Sequence, residues 1–254
     1  MIQTSVHEEN GIGEIILDRQ EKMNAITLEG RRKIGEAMMT MDADQRVRVI
    51  VVKGAGNKAF SSGGDIGEFL STSTDDLLRW GEDLSTAERI SKPVIASING
   101  YTFGAGLELA LSCDIRLAST KSMFALPEVR LGMVPASGGI TRMVKMLGLS
   151  RATYLLMLGK RIDANTALQY GLIHEVLEED KLEPRTLEIA KELSALSPLA
   201  LKALKVTLRK VVDTPLEAAL DIERKTFALL RYSEDFREGV ESFVNRREPK
   251  FRGK

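Results

Sequence analysis

The chain of 254 residues carries one cysteine and two histidines. A lone thiol, Cys113, excludes an intrachain disulfide framework and a cysteine-rich zinc site. Set in an apolar helical run, it reads as a buried structural thiol rather than a nucleophile. With only His7 and His174, a Ser-His-Asp triad or a histidine-rich metal site has little to draw on. His7 stands beside two glutamates and His174 in a strand-like stretch, GLIHEVL, and both read as structural. No apolar run approaches the roughly 20 residues of a membrane span. The opening MIQTSVHEENGIGEIILD alternates and turns too early for a secretory leader, so a cytoplasmic protein without a membrane partner is expected. Net charge is missing too: 36 basic and 36 acidic residues cancel, leaving no global pull toward nucleic acid. What is abundant is apolar surface, at 43% hydrophobic residues, enough for the substantial core of a soluble globular protein.

Strand and helix patterns alternate through the first half. Ile2 to His7 and Gly13 to Leu17 flank a turn at Glu8 to Gly11 and read as a hairpin. An amphipathic helix is expected from Thr27, its N-cap, to the region of Asp42. Arg46 to Gly54 is a β-branched strand ending in glycine. The loop AGNKAFSSGGDI follows, then a helical stretch through DLLRWGEDLSTAERI. Beyond Pro135 three short helix patterns, each closed by glycine, precede a strand at Ile173 to Leu177. From Pro184 onward the reading is nearly all helix, broken at Ser197-Pro198 and Thr214-Pro215. An α/β core over residues 1–196 and a helical region over 197–254 are therefore expected.

The chemistry concentrates between Pro93 and Pro135, PVIASINGYTFGAGLELALSCDIRLASTKSMFALPEVRLGMVP. A buried strand, Val94 to Ile98, ends at Asn99-Gly100, and Gly104, Ala105 and Gly106 open a helix. A helix start exposes unpaired N–H groups, and small residues let a ligand oxygen approach them. One turn on comes Glu108, and Glu128 follows in ALPEVRLG. Each has a plain structural reading, a glutamate favourable with the helix dipole and a solvated glutamate after proline. Amides set for an oxyanion together with two carboxylates in one compact stretch favour a catalytic reading.

The stretch resembles the signature of the crotonase superfamily, the enoyl-CoA hydratase and isomerase family, and the likeness runs over essentially the whole chain. The resemblance implies the crotonase fold, a spiral of β-β-α units followed by a helical trimerisation region. In the loop FSSGGDI, Phe60 to Ile66, it implies that Gly64 supplies one oxyanion-hole amide and that Ala105 supplies the other. Ala105 stands where this family often has glycine, but a Cβ leaves the amide donor intact. Glutamates occupy both hydratase positions, Glu108 and Glu128, whereas relatives that only shift a double bond commonly keep one. The implied reaction is reversible hydration of an enoyl-CoA, with an isomerase or a 3-hydroxyacyl-CoA dehydratase as alternatives.

The same resemblance implies an acyl-CoA thioester substrate, with no metal and no redox cofactor. In the early loop DRQEKMNAIT it makes Lys22 and Met23 candidate contacts to the adenosine part. Ser62, Asp65, Ile66 and Gly67 of the second loop join the candidate substrate contacts, although Gly67 stands where a basic residue is often found. Arg246 is a candidate coenzyme A contact from the C-terminal region, and Phe227 matches a residue near the acyl site. As bare sequence, the basic run at the end reads as a solvated tail and Phe227 as core. Phe69, Trp80, Met133, Val134 and Pro135 are candidates for the acyl pocket. A homotrimer or a dimer of trimers is implied. From a different class, an RNA-binding or scaffolding relative with the same fold is the remaining reading, disfavoured by zero net charge and the intact glutamate pair.

Overall fold

The computed structural model describes residues 2–79 and 81–254, so the candidate pocket residue Trp80 lies outside the described residues. The hairpin is β1 (Ile2–His7) and β2 (Ile12–Leu17), antiparallel, with Gly11 turning at a positive φ of 65°. Helix α1 (Leu28–Ala43) follows, its first turn closed by Thr27 Oγ1, which accepts from the Gly30 amide at 2.9 Å. Strand β3 (Val49–Gly54) begins three residues later than Arg46. The Arg46 side chain is instead drawn into a turn by ion pairs to Asp44 and Glu8. Next come β4 (Ala59–Ser61), α2 (Ile66–Phe69), α3 (Thr74–Leu78) and α4 (Thr86–Arg89). The helical stretch expected before Val94 is thus several short pieces.

Strand β5 (Val94–Ile98) lies as expected, but β6 (Tyr101–Phe103) intervenes before helix α5 (Ala105–Ser112). Then follow β7 (Ile115–Ser119), β8 (Met123–Ala125), α6 (Gly139–Leu147), α7 (Leu149–Met157), β9 (Ile162–Asp163) and α8 (Ala164–Gln169). Strand β10 (Glu175–Leu177) starts just beyond His174, whose Nδ1 accepts from the Arg116 amide at 3.1 Å. Helix α9 (Glu179–Ser194) begins five residues before Pro184, and α10 (Pro198–Val211), α11 (Leu216–Leu230) and α12 (Glu234–Val244) complete the chain.

The strands form two sheets. The six-stranded sheet has the order β1-β2-β3-β5-β7-β10 and the four-stranded sheet the order β4-β6-β8-β9. Among the described residues, β1/β2 and β8/β9, each at one edge of its sheet, pair antiparallel and the other strand pairs are parallel. Successive β-β-α units place one strand in each sheet before the chain enters a helix, as in β5-β6-α5 and β7-β8-α6. That is the expected spiral. It also explains the valine and isoleucine run of β3, since strands covered on both faces must be apolar on both. Val49 and Val51 pack with Ile95, Leu117, and Leu182 and Ala190 of α9, whereas Ile50 and Val52 face the main core. Helix α5 crosses that core with all eight residues buried.

The C-terminal helices are docked by charge. Lys205 of α10, 7% exposed, places Nζ 2.7 Å from Asp114 Oδ2 and 2.7 Å from the Lys92 carbonyl. Arg209 bridges Asp114 at 2.9 Å and Glu88 at 3.0 Å. The chain end is pinned rather than free: Asp235 accepts from the Arg252 and Gly253 amides, Arg247 pairs with Glu238 at 2.6 Å, and Arg48 Nη2 donates to the Phe251 carbonyl.

Candidate active site

The site is built where β6 hands over to α5. Gly104 sits at φ 50° and ψ −128°, a conformation open to glycine, and its N–H donates to the Ala125 carbonyl of β8 at 3.0 Å. A Cβ there would stand 3.1 Å from Glu128 Oε1, so the absent side chain is what lets that carboxylate close on the helix start. Two residues on, a Cβ at Gly106 would stand 2.6 Å from the Ser61 Cβ, which shows how tightly α5 lies against β4.

The loop after β4 is laid on the early loop like an added strand. Ser62 N donates to the Met23 carbonyl, Ile26 N to the Gly63 carbonyl and Asp65 N to the Ile26 carbonyl, at 2.9, 2.8 and 2.9 Å. Gly63 N donates to Ser61 Oγ. Arg19 pairs with Asp65 at 2.6 Å, and Asp65 in turn accepts from Gly67 N, capping α2. The amides of Ser62, Gly63 and Asp65 are thus engaged, while among the described residues that of Gly64 has no protein acceptor. Ala105, first residue of α5, likewise carries an unengaged amide of the kind that opens every helix.

Glu108, 2% exposed, places Oε1 at 2.7 Å from the Ser137 amide and 2.9 Å from the Gly139 amide at the start of α6. Glu128 opens a 3₁₀ turn, Glu128–Leu131, and its buried Oε2 has no hydrogen-bond partner. Its carboxyl group is pushed up to about 7, chiefly by burial, with the Glu108 charge adding to the effect. The two carboxylates face one cavity of about 330 Å³. Arg31, Ser62, Gly64 and Ala105 also line it, with Ile66, Phe69, Leu77, Leu131, Met133 and Val134 as its apolar wall. A larger hollow of about 700 Å³ at the C-terminal helix is lined by charged side chains and holds no such pair facing free amides.

Of the residues singled out from sequence, Glu108, Glu128, Gly64, Ala105, Ser62, Ile66, Phe69, Met133 and Val134 thus come together around one cavity. Lys22 and Met23 lie directly behind it, their carbonyls accepting from Ser62. Asp65 and Gly67 shape the loop rather than line the cavity, and Pro135 packs beside Gly139. Phe227 and Arg246 are elsewhere. Phe227 is 67% exposed on α11, so it is not core, and it lies edge-on to Phe236; Arg246 is exposed after α12 at φ 51°. Among the described residues, no group of three or more His, Cys, Asp and Glu side chains is placed to hold a metal ion.

The family model for enoyl-CoA hydratase/isomerase matches residues 7–254. The chain belongs to this family. A carnitinyl-CoA dehydratase of Citrobacter koseri is 36% identical over 249 residues, covering 95% of each chain. Among solved structures, an enoyl-CoA hydratase of Bacillus anthracis superposes with a TM-score of 0.94 at 28% identity, covering 100% of this chain and 99% of that one. An enoyl-CoA hydratase subunit of Geobacillus kaustophilus gives 0.94 at 37% identity, covering 100% and 98%. The fold is therefore the crotonase fold shared by this enoyl-CoA hydratase/isomerase family.

One lining residue of this family member escaped the sequence reading. Arg31 is 2% exposed on α1, and its Nη1 donates to Ser137 Oγ at 3.0 Å. The signal was present: Arg31, Ile34, Met38 and Met41 are spaced at three or four residues and are all buried, so a cation stands in the apolar stripe of a helix.

Proposed function

We propose that the protein is an enoyl-CoA hydratase that adds water reversibly across the 2,3 double bond of an enoyl-CoA thioester. The observation that carries this reading is the convergence of Glu108 and Glu128 on one cavity with the unengaged amides of Gly64 and Ala105. Attack of water at C3 moves charge onto the thioester oxygen, and two preset amides stabilise it, each donor being worth about 3 to 4 kcal/mol in comparable sites. Glu108, its Oε1 tied to two amides, keeps Oε2 to take the proton from water. Glu128, half-buried and held at about 7, carries a proton near neutral pH and delivers it to C2. In the reverse direction each carboxyl group exchanges its role. The 36% identical carnitinyl-CoA dehydratase favours dehydration of a 3-hydroxyacyl-CoA as the second reading, which uses the same atoms.

Coenzyme A enters as part of the substrate, and no further cofactor is invoked. Lys22 and Met23 are proposed to meet its adenosine part. Arg246 and Phe227, remote from the cavity of their own chain, are proposed to serve a neighbouring subunit in a homotrimer or dimer of trimers. Exposed apolar side chains on the last helices, among them Phe227, Leu229 and Phe243, support such an assembly.

Turnover of trans-2-enoyl, trans-3-enoyl and 3-hydroxyacyl thioesters of increasing length tests the assignment. Hydration should dominate, and Glu108→Gln or Glu128→Gln should each lower kcat by about 100-fold or more. Isomerisation of the 3-enoyl thioester without hydration, or full hydration by Glu128→Gln, would overturn it.

A further inference from the structure

Arg31 has no part in the reaction just described, yet it is a buried cation in the wall of the same cavity. Burying a guanidinium costs several kcal/mol unless charge and hydrogen bonds offset it, and an aliphatic residue would fill the α1 stripe without that cost. The surroundings show what offsets it. Nη1 donates to Ser137 Oγ at 3.0 Å, and the amide of the same Ser137 donates to Glu108 Oε1 at 2.7 Å. On the other side, Nη2 lies 3.7 Å from the point where Gly64 would carry a Cβ. The guanidinium therefore spans the oxyanion loop and the clamp on Glu108.

We propose that Arg31 is the positioning residue for Glu108: it fixes Ser137 so that the Ser137 amide grips Oε1 and holds the carboxylate in place beside the cavity. The proposal deepens the hydratase reading and rests on it. The charged groups around Arg31 single out Glu108 as the partner. Glu68 of α2 is committed to the Leu28 amide at 2.7 Å, and Asp83 packs over Gly35 of α1. Of these carboxylates Glu108 of α5 acts most strongly on the guanidinium, ahead of Asp83 and Glu68, and Glu128 lines the same cavity. Burial still draws the guanidinium down to about 9, so it remains a cation throughout the neutral range. The site then holds one fixed positive charge and two carboxyl groups, of which Glu108 is tied to that charge through Ser137. That asymmetry separates base from acid in a site with two chemically identical side chains.

The test compares Arg31→Met, Arg31→Lys and Ser137→Ala with the full-length wild type, by steady-state kinetics on the thioester that the wild type turns over best. Without the guanidinium Ser137 loses its anchor, so Arg31→Met should lower kcat by roughly tenfold or more with KM little changed. Arg31→Lys, which keeps a donor for Ser137 Oγ, should recover most of that loss. Ser137→Ala, which keeps the amide but removes the hydroxyl that Arg31 holds, should lower kcat by a similar factor, and adding Arg31→Met to it should cost little more. Thermal melting of each variant separates lost fold from lost catalysis. With an active wild type, a folded Arg31→Met that keeps the wild-type kcat, or that changes KM alone, refutes this role alone. A wild type that turns over none of the thioesters sinks the hydratase reading and this role with it.

Discussion

Replacing Glu128 by glutamine keeps its shape and removes only its capacity to ionise, so stability and activity should respond in opposite directions. In the folded chain the carboxyl group is held at about 7, against an ordinary value of 4.5 that applies once the chain unfolds. Between those two values the folded state binds more protons than the unfolded one. Wild-type stability attributable to this group is therefore fully present below pH 4.5 and is lost as the pH rises through 7. At about 1.4 kcal/mol per pH unit, the loss amounts to about 3 kcal/mol. Glu128→Gln has no such dependence. Its stability advantage over wild type should grow by about 2.5 kcal/mol between pH 5 and pH 8, which for a chain of this size is about 5 to 10 °C in Tm. Melting both proteins at half-unit steps in pH measures the gap. A gap that stays flat across this window would show that burial does not hold the carboxyl group up, and the assignment of Glu128 as the proton donor would lose its physical basis.

Gly104→Ala forces a Cβ into a positive-φ position and to within 3.1 Å of Glu128 Oε1. The variant should lose activity by roughly 100-fold or more while KM changes little, read from steady-state kinetics; wild-type turnover would refute the tight closure of Glu128 on the helix start. Lys205→Met strips one cation from Asp114 at the root of α10 and should cost about 3 kcal/mol by chemical denaturation, with the catalytic pair untouched in a folded sample.

The sequence made the catalytic stretch legible because its signals are local. An apolar strand, an Asn-Gly turn, a cluster of small residues and two glutamates all lie within a few tens of residues of one another. The strand β6 was not legible, since three residues between Gly100 and Gly104 are too few to show a period. Strands β4 and β8 have the same length and were missed for the same reason. The β-branched neighbours of Arg46 point to a strand, but its carboxylate partners Glu8 and Asp44 hold it in a turn. Arg31 is the more instructive miss. Its role depends on Ser137, 106 residues away, and no spacing along one helix reveals a partner at that distance. As sequence, Phe227 admits two readings, and its exposure on α11 leaves the core reading without support.

The loop that presents Gly64 is held by residues 23–26, while Glu108 is gripped by amides at Ser137 and Gly139. The reaction centre is thus stitched from four stretches that enter the fold on successive turns of the spiral. On the ribosome, no nascent chain can be active before residue 139 has emerged and α6 has closed over α5. During refolding, helix content and hydrophobic collapse should recover early, from contacts near in sequence, and turnover should lag behind them. In this topology regained catalysis times the closing of the last turn of the spiral, and a chain can be compact well before it is an enzyme.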